Sequence, residues 1–504
     1  MAGPHDVLNA ERAWPLHHAS ASRIIEAEVQ RRWAHGELMA WAGRRVASWI
    51  MAVAPHARHV WVAAGPGGNG GDGLYAAAHL ASMGRQVDIS LHPDQVTSTT
   101  QEALSRALSA GCQLVPQPGR QRPDLVVDAL LGLGANRPLT APIAQAVQAM
   151  AQLNRPCLSI DIPTGLNPDT GQALGDVVVR AQGTLSLLTL KPGLFMGTGR
   201  DAAGRIWLDT LDDSVDGWTA EPVAQTSWAL QQPGDRPRAH ASHKGLFGDV
   251  AIVGGASGML GAARLAAHAA LAAGAGRVIV APLDPRAPQW DWNRPECMWL
   301  RPEALLDEPL LEQATVVCGC GAGTAVTEWL PALLVRAQRV VLDADALNAL
   351  ARQPHMANAL RARAMRGQAS VLTPHPLEAA RLLGVSVPEI QGQRLQAARQ
   401  LADSFQATVV LKGSGTVTLT PGHLPQVNIT GNGALATGGT GDVLAGWLGG
   451  RWASQPFAVH EETTLAHRVT CQAVHTHGQA ADLQGPRNSI RALELVEAMR
   501  QLVT

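Results

Sequence analysis

Residues 428–446 read NITGNGALATGGTGDVLAG, and this stretch says more about the fold than any other part of the chain. Its Gly-Gly-Thr-Gly run predicts a flexible loop, and the apolar residues from Val443 onward predict a helix. Backbone N–H groups at the start of a helix face an anion such as a phosphate. Asp442 stands at this turn, where its carboxylate could accept a proton from a hydroxyl attacking phosphorus. Capping of the helix by Asp442 is the alternative.

Short runs rich in valine, isoleucine and leucine alternate with helical patterns along most of the chain. This alternation predicts parallel sheets with helices on both faces. The pattern fails within residues 220–242, whose latter part we interpret as a linker. We therefore expect two three-layer αβα domains, residues 1–225 and residues 226–504. The predicted strands are residues 59–64, 86–91, 125–129, 157–160, 183–188, 249–253, 277–281, 315–318, 339–342, 370–372 and 408–411.

Composition argues against several classes of partner. The formal net charge of −1 comes without a large basic face, which disfavours nucleic acid. A run of 18 or more uncharged apolar residues is lacking, which predicts no membrane partner, and the first residues do not resemble a secretory signal. The six cysteines have no disulfide-like spacing, so we expect reduced, buried thiols. We expect a cytoplasmic homo-oligomer that binds small molecules.

Lysine is rare in this chain. Of 40 basic residues only three are lysines, Lys191, Lys244 and Lys412, and each is followed by Gly or Pro-Gly. Lys412 ends a predicted strand and begins a Gly-Ser-Gly turn, which suits contact with nucleotide phosphates. A solvated lysine at a strand end is the alternative.

Three other polar residues follow predicted strands in the second half. His375 lies between two prolines, where it contacts either a substrate or the local backbone. Asp343 and Asp345 come after a strand, where a water-mediated magnesium contact and structural hydrogen bonding are equally compatible with the pattern.

A glycine-rich loop, GPGGNGGDG at residues 65–73, follows a predicted strand in the first half. It contains GxGxxG, but Asn69 and Asp72 disturb a plain dinucleotide fingerprint because a carboxylate opposes a pyrophosphate. Asp72 either caps the next helix or, with Asn69, helps to hold a cation.

Two more loops follow strands and are expected at the same edge of the sheet. They read DALLGLGANRP at residues 128–138 and DIPTGLNPDTG at residues 161–171. Asn69, Asp128 and Thr164 would together offer hard oxygen ligands for an alkali or alkaline-earth cation. Asp161 would lie beside them as an acid or base.

The order GGNGGDG, DALLGLG, DIPTG resembles the NAD(P)H-hydrate epimerases over about residues 8–220. The resemblance implies a Rossmann-like fold and interconversion of the R and S hydrates at carbon 6 of the nicotinamide ring. It implies K⁺ ligands at Asn69, Asp128 and Thr164, with Gly68 and Thr164 standing where the family usually has Asn and Ser. The implied substrate-binding residues are Gly68, Asn69, Gly70, Gly71, Asp72, Gly132, Leu133, Gly134, Ala135, Asn136, Arg137, Pro138 and Asp161.

Further motifs run in order through the second half. They are SHKGLFGDVAIVGGASGMLG from residue 242, GCGAG at 319–323, LDADALNAL at 342–350, LTPHPLEAARLLG at 372–384 and LKGSGT at 411–416.

With residues 428–446, these motifs resemble the ADP- or ATP-dependent NAD(P)H-hydrate dehydratases over about residues 240–500. The resemblance implies a ribokinase-like fold, ADP as co-substrate, Mg²⁺, and phosphorylation of the ring hydroxyl followed by elimination of phosphate. Cys320 stands where the family usually has proline. The implied nucleotide contacts are Lys412, Gly413, Ser414, Gly415, Thr416 and Gly441, and the implied substrate contacts are Ala262, Gly323, His375 and Asp442.

The two resemblances together predict an enzyme that epimerises hydrated NADH and NADPH and dehydrates the S form with ADP, with Asp161 and Asp442 as catalytic residues. One alternative is a small-molecule kinase fused to an NAD-dependent oxidoreductase, against which stand Asn69, Asp72 and the lack of a clear hydride-transfer site. The other alternative is a dehydratase whose first domain only binds a ligand, which Gly68 alone favours.

Overall fold

The structure is a computed structural model of the 504-residue chain. It describes residues 3–9, 12–92, 97–116, 122–211, 218–228, 238–307, 309–485 and 489–503. The chain divides into two compact units, Met1–Thr226 and Ser227–Thr504. Within the described ranges, no helix combines the length and the apolar character needed to cross a membrane.

The first unit is built on a sheet of eight strands. The strands of this unit are β1 (His5–Asp6), β2 (Pro15–Leu16), β3 (His59–Ala64), β4 (Gln86–Leu91), β5 (Gln113–Leu114), β6 (Leu125–Ala129), β7 (Cys157–Ile160), β8 (Gly183–Leu187), β9 (Arg205–Asp209) and β10 (Ala224–Thr226). Their order in the sheet is β1-β9-β8-β7-β6-β3-β4-β5, and β2 pairs with β10. All pairs from β9 to β5 are parallel, which brings the ends of β3, β6 and β7 together.

Helices cover both faces of this sheet. They are α1 (Ala19–Gln30), α2 (Glu37–Val53), α3 (Gly68–Ser82), α4 (Ser98–Ser109), α5 (Ala141–Leu153) and α6 (Gly199–Ala203), with a 3₁₀ turn at Pro192–Leu194. Side chains alternate along β3: Val60 and Val62 join the core under α2, α3 and α4, whereas Trp61 packs with Ile143 of α5 on the other face. The unit therefore has three layers.

The second unit has a parallel sheet that ends in two antiparallel strands. Its strands are β11 (Asp249–Gly254), β12 (Arg277–Pro282), β13 (Met298–Trp299), β14 (Thr315–Cys318), β15 (Arg339–Leu342), β16 (Ser370–Leu372), β17 (Thr408–Leu411), β18 (Val417–Leu419) and β19 (Gln426–Val427). They are arranged β13-β12-β11-β14-β15-β16-β17-β18-β19, with parallel pairing from β13 to β17.

Helices again cover both faces. They are α7 (Leu260–Ala272), α8 (Pro302–Asp307), α9 (Val326–Arg336), α10 (Asp345–Arg352), α11 (Met356–Met365), α12 (Pro376–Leu383), α13 (Val387–Gly392), α14 (Arg394–Phe405), α15 (Thr440–Ala453), α16 (Glu462–Leu483) and α17 (Ala492–Gln501), with 3₁₀ turns at Lys244–Phe247, Pro309–Glu312, Gly323–Ala325 and Gly433–Leu435. Helix α15 packs backbone-close on α7. A Cβ on Gly446 would lie 2.0 Å from the carbonyl oxygen of Ala266, and one on Gly450 would lie 2.4 Å from that of Ala270.

The predicted fold class is confirmed in that both units are three-layer α/β structures. Each predicted strand is present, with ends that differ by one residue at most. Helix α15 begins at Thr440, earlier than the apolar pattern from Val443 onward indicates, because the turn that contains Gly441 is already helical. Part of the predicted linker, residues 229–237, lies outside the described residues.

Candidate active sites

The first site is a cavity of about 370 Å³ at the carboxyl ends of the parallel strands. The glycine loop after β3 runs into α3, Asp128 lies on β6, and Asp161 follows β7. The predicted residues in the cavity wall are Gly68, Asn69, Asp72, Gly132, Leu133, Gly134 and Asp161. The other predicted substrate-binding residues, Gly70, Gly71, Ala135, Asn136, Arg137 and Pro138, are not in this wall as far as the described residues show.

Gly70 has a structural role in this loop. A Cβ there would lie 1.9 Å from the carbonyl oxygen of Gly65, so only glycine allows the turn to close. Gly68, by contrast, has open space around its Cβ position. The backbone of this loop therefore requires glycine at position 70 but not at position 68.

The amide group of the Asn69 side chain is buried. Neither its Oδ1 nor its Nδ2 has a hydrogen-bond partner among the described residues. The backbone of Gly132 passes close by, since a Cβ on Gly132 would lie 3.4 Å from the Asn69 Cβ and 3.3 Å from an Asp161 carboxylate oxygen. A buried amide without a partner is costly, which indicates that this part of the cavity is built for a ligand.

Asp128 and Thr164 are fully buried and bonded to each other. The Thr164 hydroxyl donates to Asp128 Oδ1 at 2.7 Å, and the Thr164 N–H donates to Oδ2 at 2.8 Å. Ser159 donates to the same Oδ2 at 2.9 Å. Burial raises the pKa of the Asp128 carboxyl, although the bonds from Thr164 and Ser159 oppose the shift. Like the Asn69 amide, Asp128 and Thr164 carry hard oxygen atoms of the kind that an alkali cation prefers, but these two residues are not in the cavity wall as the described residues define it.

Asp161 is held in place by Lys191. The Asp161 backbone has a φ of +65°, an uncommon conformation for a residue other than glycine. The Lys191 Nζ donates to Asp161 Oδ1, to the Thr189 carbonyl oxygen at 2.8 Å and to the Ser186 hydroxyl at 3.2 Å. Lys191 is 0% exposed. The sequence had singled out its Lys-Pro-Gly motif without giving it a role, and the structure places it in this site.

Asp72 faces the same cavity from α3. The N-cap of α3 is Gly67, so the interpretation of Asp72 as a helix cap is wrong. Burial, followed by the negative charges of Glu26 and Asp161, raises the pKa of Asp72 well above its usual range. The cavity thus holds one carboxylate paired with a buried lysine and a second carboxyl group, Asp72, whose surroundings favour the protonated form.

The second site lies at the carboxyl ends of β14 to β17, beside the first turns of α7 and α15. The Lys412 Nζ donates to Asp343 Oδ1 at 2.6 Å, and the Thr373 hydroxyl donates to the same oxygen at 2.8 Å. A Cβ on Gly441 would lie 3.4 Å from the Lys412 Nζ. The structure therefore brings together Lys412 and Gly441, which the sequence had placed in separate motifs.

Asp442 is the third residue of α15, whose N-cap is Gly439, so Asp442 is not the helix cap. Ligand atoms of Asp442, Asp343 and Cys320 all lie within 4.8 Å of one another. Burial, and then the negative charge of Asp343, raises the pKa of Asp442 to about 6. A carboxylate with this pKa can act as a general base near neutral pH.

The three-residue group at Asp442 does not fit a direct Mg²⁺ site. Mg²⁺ prefers oxygen ligands, whereas Cys320 offers sulfur and Asp343 is already bound to Lys412. Asp345 is also engaged, because its Oδ2 accepts the Gly323 N–H at 2.8 Å. This bond ties Gly323, a predicted substrate contact, to the end of β15, and it supports the structural interpretation of Asp345.

His375 is largely occupied by its own helix. Its Nδ1 accepts the N–H groups of Leu377 and Glu378 at 3.1 and 3.3 Å, which caps α12. Its Nε2 lies 3.2 Å from Glu378 Oε1. Both ring nitrogens thus have local partners, while the side chain remains 46% exposed, so a substrate would contact the face or edge of the ring.

The predicted nucleotide loop, residues 412–416, is fixed by Arg394. This buried arginine of α14 donates to the carbonyl oxygens of Leu411 at 2.9 Å, Lys412 at 3.2 Å and Gly415 at 3.4 Å. Gly413 has a φ of +129°, which only glycine adopts readily. Sequence reasoning missed Arg394 because an arginine within a helical pattern carries no signal of the loop it contacts.

The geometry defines a class of protein: a two-unit α/β chain in which each unit has a candidate site with acidic side chains at a sheet edge. Two family profiles match the chain. The profile described as the YjeF-related protein N-terminus matches residues 35–193, and the one described as NAD(P)H-hydrate dehydratase matches residues 250–502.

Curated relatives match nearly the whole chain. The bifunctional NAD(P)H-hydrate repair enzyme of Coxiella burnetii is 34% identical over 93% of this chain and 94% of its own length. The enzyme of the same name from Escherichia coli is 34% identical over 93% and 89%. A solved structure, the ADP/ATP-dependent NAD(P)H-hydrate dehydratase of Bacillus subtilis, is 29% identical and covers 53% of this chain and 92% of its own, with a TM-score of 0.42. The chain belongs to the family of bifunctional NAD(P)H-hydrate repair enzymes.

Proposed function

We propose that the first unit interconverts the R and S hydrates of NADH and NADPH, and that the second dehydrates the S hydrate at the expense of ADP. The observation that carries the second activity is the position of Asp442. Its carboxylate lies in the first turn of α15, next to Gly441, whose Cβ position is 3.4 Å from the Lys412 ammonium. Groups that can bind an anion, the Lys412 ammonium and the first turn of α15, therefore lie next to a carboxylate that can act as a base, that of Asp442.

In the proposed dehydration, Asp442 accepts the proton of the hydroxyl on carbon 6. The hydroxyl oxygen forms a bond to the β-phosphorus of ADP, and the bond from that phosphorus to the bridging oxygen breaks, which releases AMP. Lys412 and the N–H groups of α15 stabilise the negative charge. The C6–O bond then breaks with loss of phosphate and of a proton from carbon 5, which restores the C5=C6 double bond.

In the proposed epimerisation, the nitrogen of the ring helps to expel the hydroxyl from carbon 6, and water returns to the other face. Asp161 transfers a proton from the incoming water to the departing hydroxyl group, and Lys191 holds the Asp161 carboxylate in place. The supporting observation is that Asp161 and Asp72 line the same cavity but differ in their surroundings. Asp161 is bound to a lysine, whereas the surroundings of Asp72 favour its protonated form. Asn69, Asp128 and Thr164 would hold K⁺, which when bound supplies a fixed positive charge at the cavity wall.

We also propose that Mg²⁺ enters the second site with the phosphates of ADP, because direct protein ligands are taken up by other contacts. A cytoplasmic location is supported by the cysteines, since all six are free thiols. The expected homo-oligomer is tested by analytical ultracentrifugation of the purified protein.

One experiment tests both activities. Purified protein is incubated with mixed R and S hydrates of NADH, with ADP, with ATP or with no nucleotide, and the return of reduced-nicotinamide absorbance is followed. Full recovery with ADP is expected. Recovery of the S share alone, after correction for spontaneous epimerisation, would show that the first unit does not epimerise. An absence of recovery with both nucleotides would reject the proposal for the second unit.

A further inference from the structure

Cys320 lies at the centre of the second site, in a loop whose position is fixed. The Cys320 carbonyl oxygen accepts the Gly255 N–H at 2.9 Å. Its neighbours leave no room for side chains: a Cβ on Gly319 would lie 1.9 Å from the Asp343 carbonyl oxygen, and one on Gly321 would lie 2.7 Å from that of Met259. The loop therefore holds the Cys320 side chain at a fixed position beside the end of β15.

The Cys320 side chain is 0% exposed and its sulfur lies within 4.8 Å of carboxylate oxygens of both Asp442 and Asp343. The two carboxylates have different neighbours. Asp343 accepts hydrogen bonds from Lys412 and Thr373, whereas the Cys320 thiol is the neighbour that Asp442 shares with Asp343. The site thus places an ammonium on one aspartate and a thiol close to the other.

A thiol suits this position because it stays protonated. Burial, and then the negative charges of Asp442 and Asp343, raises the pKa of Cys320 well above its usual range. A protonated thiol is a weak hydrogen-bond donor, so it can orient a carboxylate without neutralising it as an ammonium would. A lysine in the same place would hold Asp442 as an ion pair and oppose its protonation during catalysis.

We infer that Cys320 is a positioning residue of the dehydratase, whose S–H group donates a hydrogen bond to the Asp442 carboxylate and fixes its orientation toward the substrate hydroxyl. This inference rests on the proposed function of the second unit. Cys320 acts through Asp442 and has no proton-transfer role of its own.

The kinetic test compares Cys320→Ala, Cys320→Ser and Cys318→Ala with the unmodified enzyme, using the S hydrate and ADP. Cys320→Ala is expected to lower kcat roughly tenfold with KM changed less than about twofold, because the donor is lost while the binding surfaces remain. Cys320→Ser keeps a donor and is expected to retain kcat within about threefold. Cys318 is an equally buried thiol two residues earlier, and its alanine variant should match the unmodified enzyme.

Equal kcat values for Cys320→Ala and the unmodified enzyme would overturn the inference while leaving the proposed function intact. A rise in KM at constant kcat would also overturn it, since that pattern indicates a binding role.

A second measurement does not depend on activity. The S–H stretching band of Cys320, taken as the infrared difference between the unmodified protein and Cys320→Ala, is compared with the same difference in the Asp442→Asn background. A hydrogen bond to the Asp442 carboxylate should place the band at a lower frequency in the unmodified protein than in Asp442→Asn. Coincident bands would show that Cys320 and Asp442 are not coupled, even in a protein without dehydratase activity.

Discussion

The two sites each contain a lysine bound to an aspartate, but the aspartate of the pair has a different role in each site. In the first unit Lys191 binds Asp161, the residue that we assign to proton transfer. In the second unit Lys412 binds Asp343 and leaves Asp442, the proposed base, with a thiol partner and a pKa of about 6. The comparison teaches that a Lys–Asp pair at a sheet edge does not identify the catalytic carboxylate. The remaining partners of each aspartate decide its role.

The largest expected effect comes from removing the proposed base of the second site. Asp442→Asn should lower ADP-dependent dehydration about 10³-fold, because an amide cannot accept the hydroxyl proton. Dissociation constants for ADP should remain within about threefold of the unmodified value, as measured by calorimetry. Asp403→Asn, at an exposed position of α14, is the control and should behave like the unmodified enzyme. Unchanged turnover in Asp442→Asn would reject the assigned role.

The two Lys–Asp pairs should also differ in how much each stabilises the folded protein. Lys191→Met should lower the free energy of unfolding by about 3–5 kcal/mol, because it leaves the Asp161 charge without its cation in a buried site. Lys412→Met should cost less than about half of that, since the Lys412 side chain is 19% exposed and Asp343 keeps its bond from Thr373. Urea denaturation of both variants gives the two values, and equal losses would contradict the contrast drawn between the pairs.

The pH dependence of dehydration should show the raised pKa of Asp442. The base works in its ionised form, so kcat/KM should be level above about pH 7 and fall roughly tenfold per unit as pH drops below about 6. Circular dichroism at pH 5 serves as the control that the protein is still folded. A profile without a fall between pH 7 and pH 5 would show that Asp442 is not the titrating base.

The smallest expected effect concerns the glycine loop of the first unit. Gly68→Asn should fold normally and raise the rate of epimerisation a few-fold, because its Cβ position is open and the new amide faces the cavity. Gly70→Asn is the matched control, since its Cβ would overlap the Gly65 carbonyl oxygen and should abolish epimerisation. The rates are measured by NMR of the pure R hydrate. A Gly68→Asn variant slower than the unmodified protein would show that this position needs glycine.

Much of the fold could be predicted from local pattern. The buried strands are short apolar runs, and a run such as β3 has the same bounds in the structure as in the sequence. The start of α15 could not be predicted, because Thr440 and Gly441 are poor helix formers and are held helical by the packing of the helix behind them.

The predicted site residues were those with a motif, and the missed ones were those whose role depends on distant contacts. Lys412 and Asp442 stand in glycine loops that mark anion sites. Arg394 has no such mark, because it reaches its loop from a helix. Cys320 lies in the GCGAG motif, but that motif does not show that Cys320 meets Asp442 across more than 100 residues of chain. Cys320 was expected to be an inert thiol, and its neighbourhood with two aspartates appears only once the strands are ordered.

Gly446 and Gly450 have a consequence for how the second unit can move. Because α15 rests on the backbone of α7 without intervening side chains, the two helices cannot slide past each other without steric overlap. Asp442 at the start of one helix and Ala262 at the start of the other therefore travel as one rigid body. Any adjustment of the site to substrates of different size must then come from groups outside this pair of helices, such as the partly exposed His375 in the loop after β16.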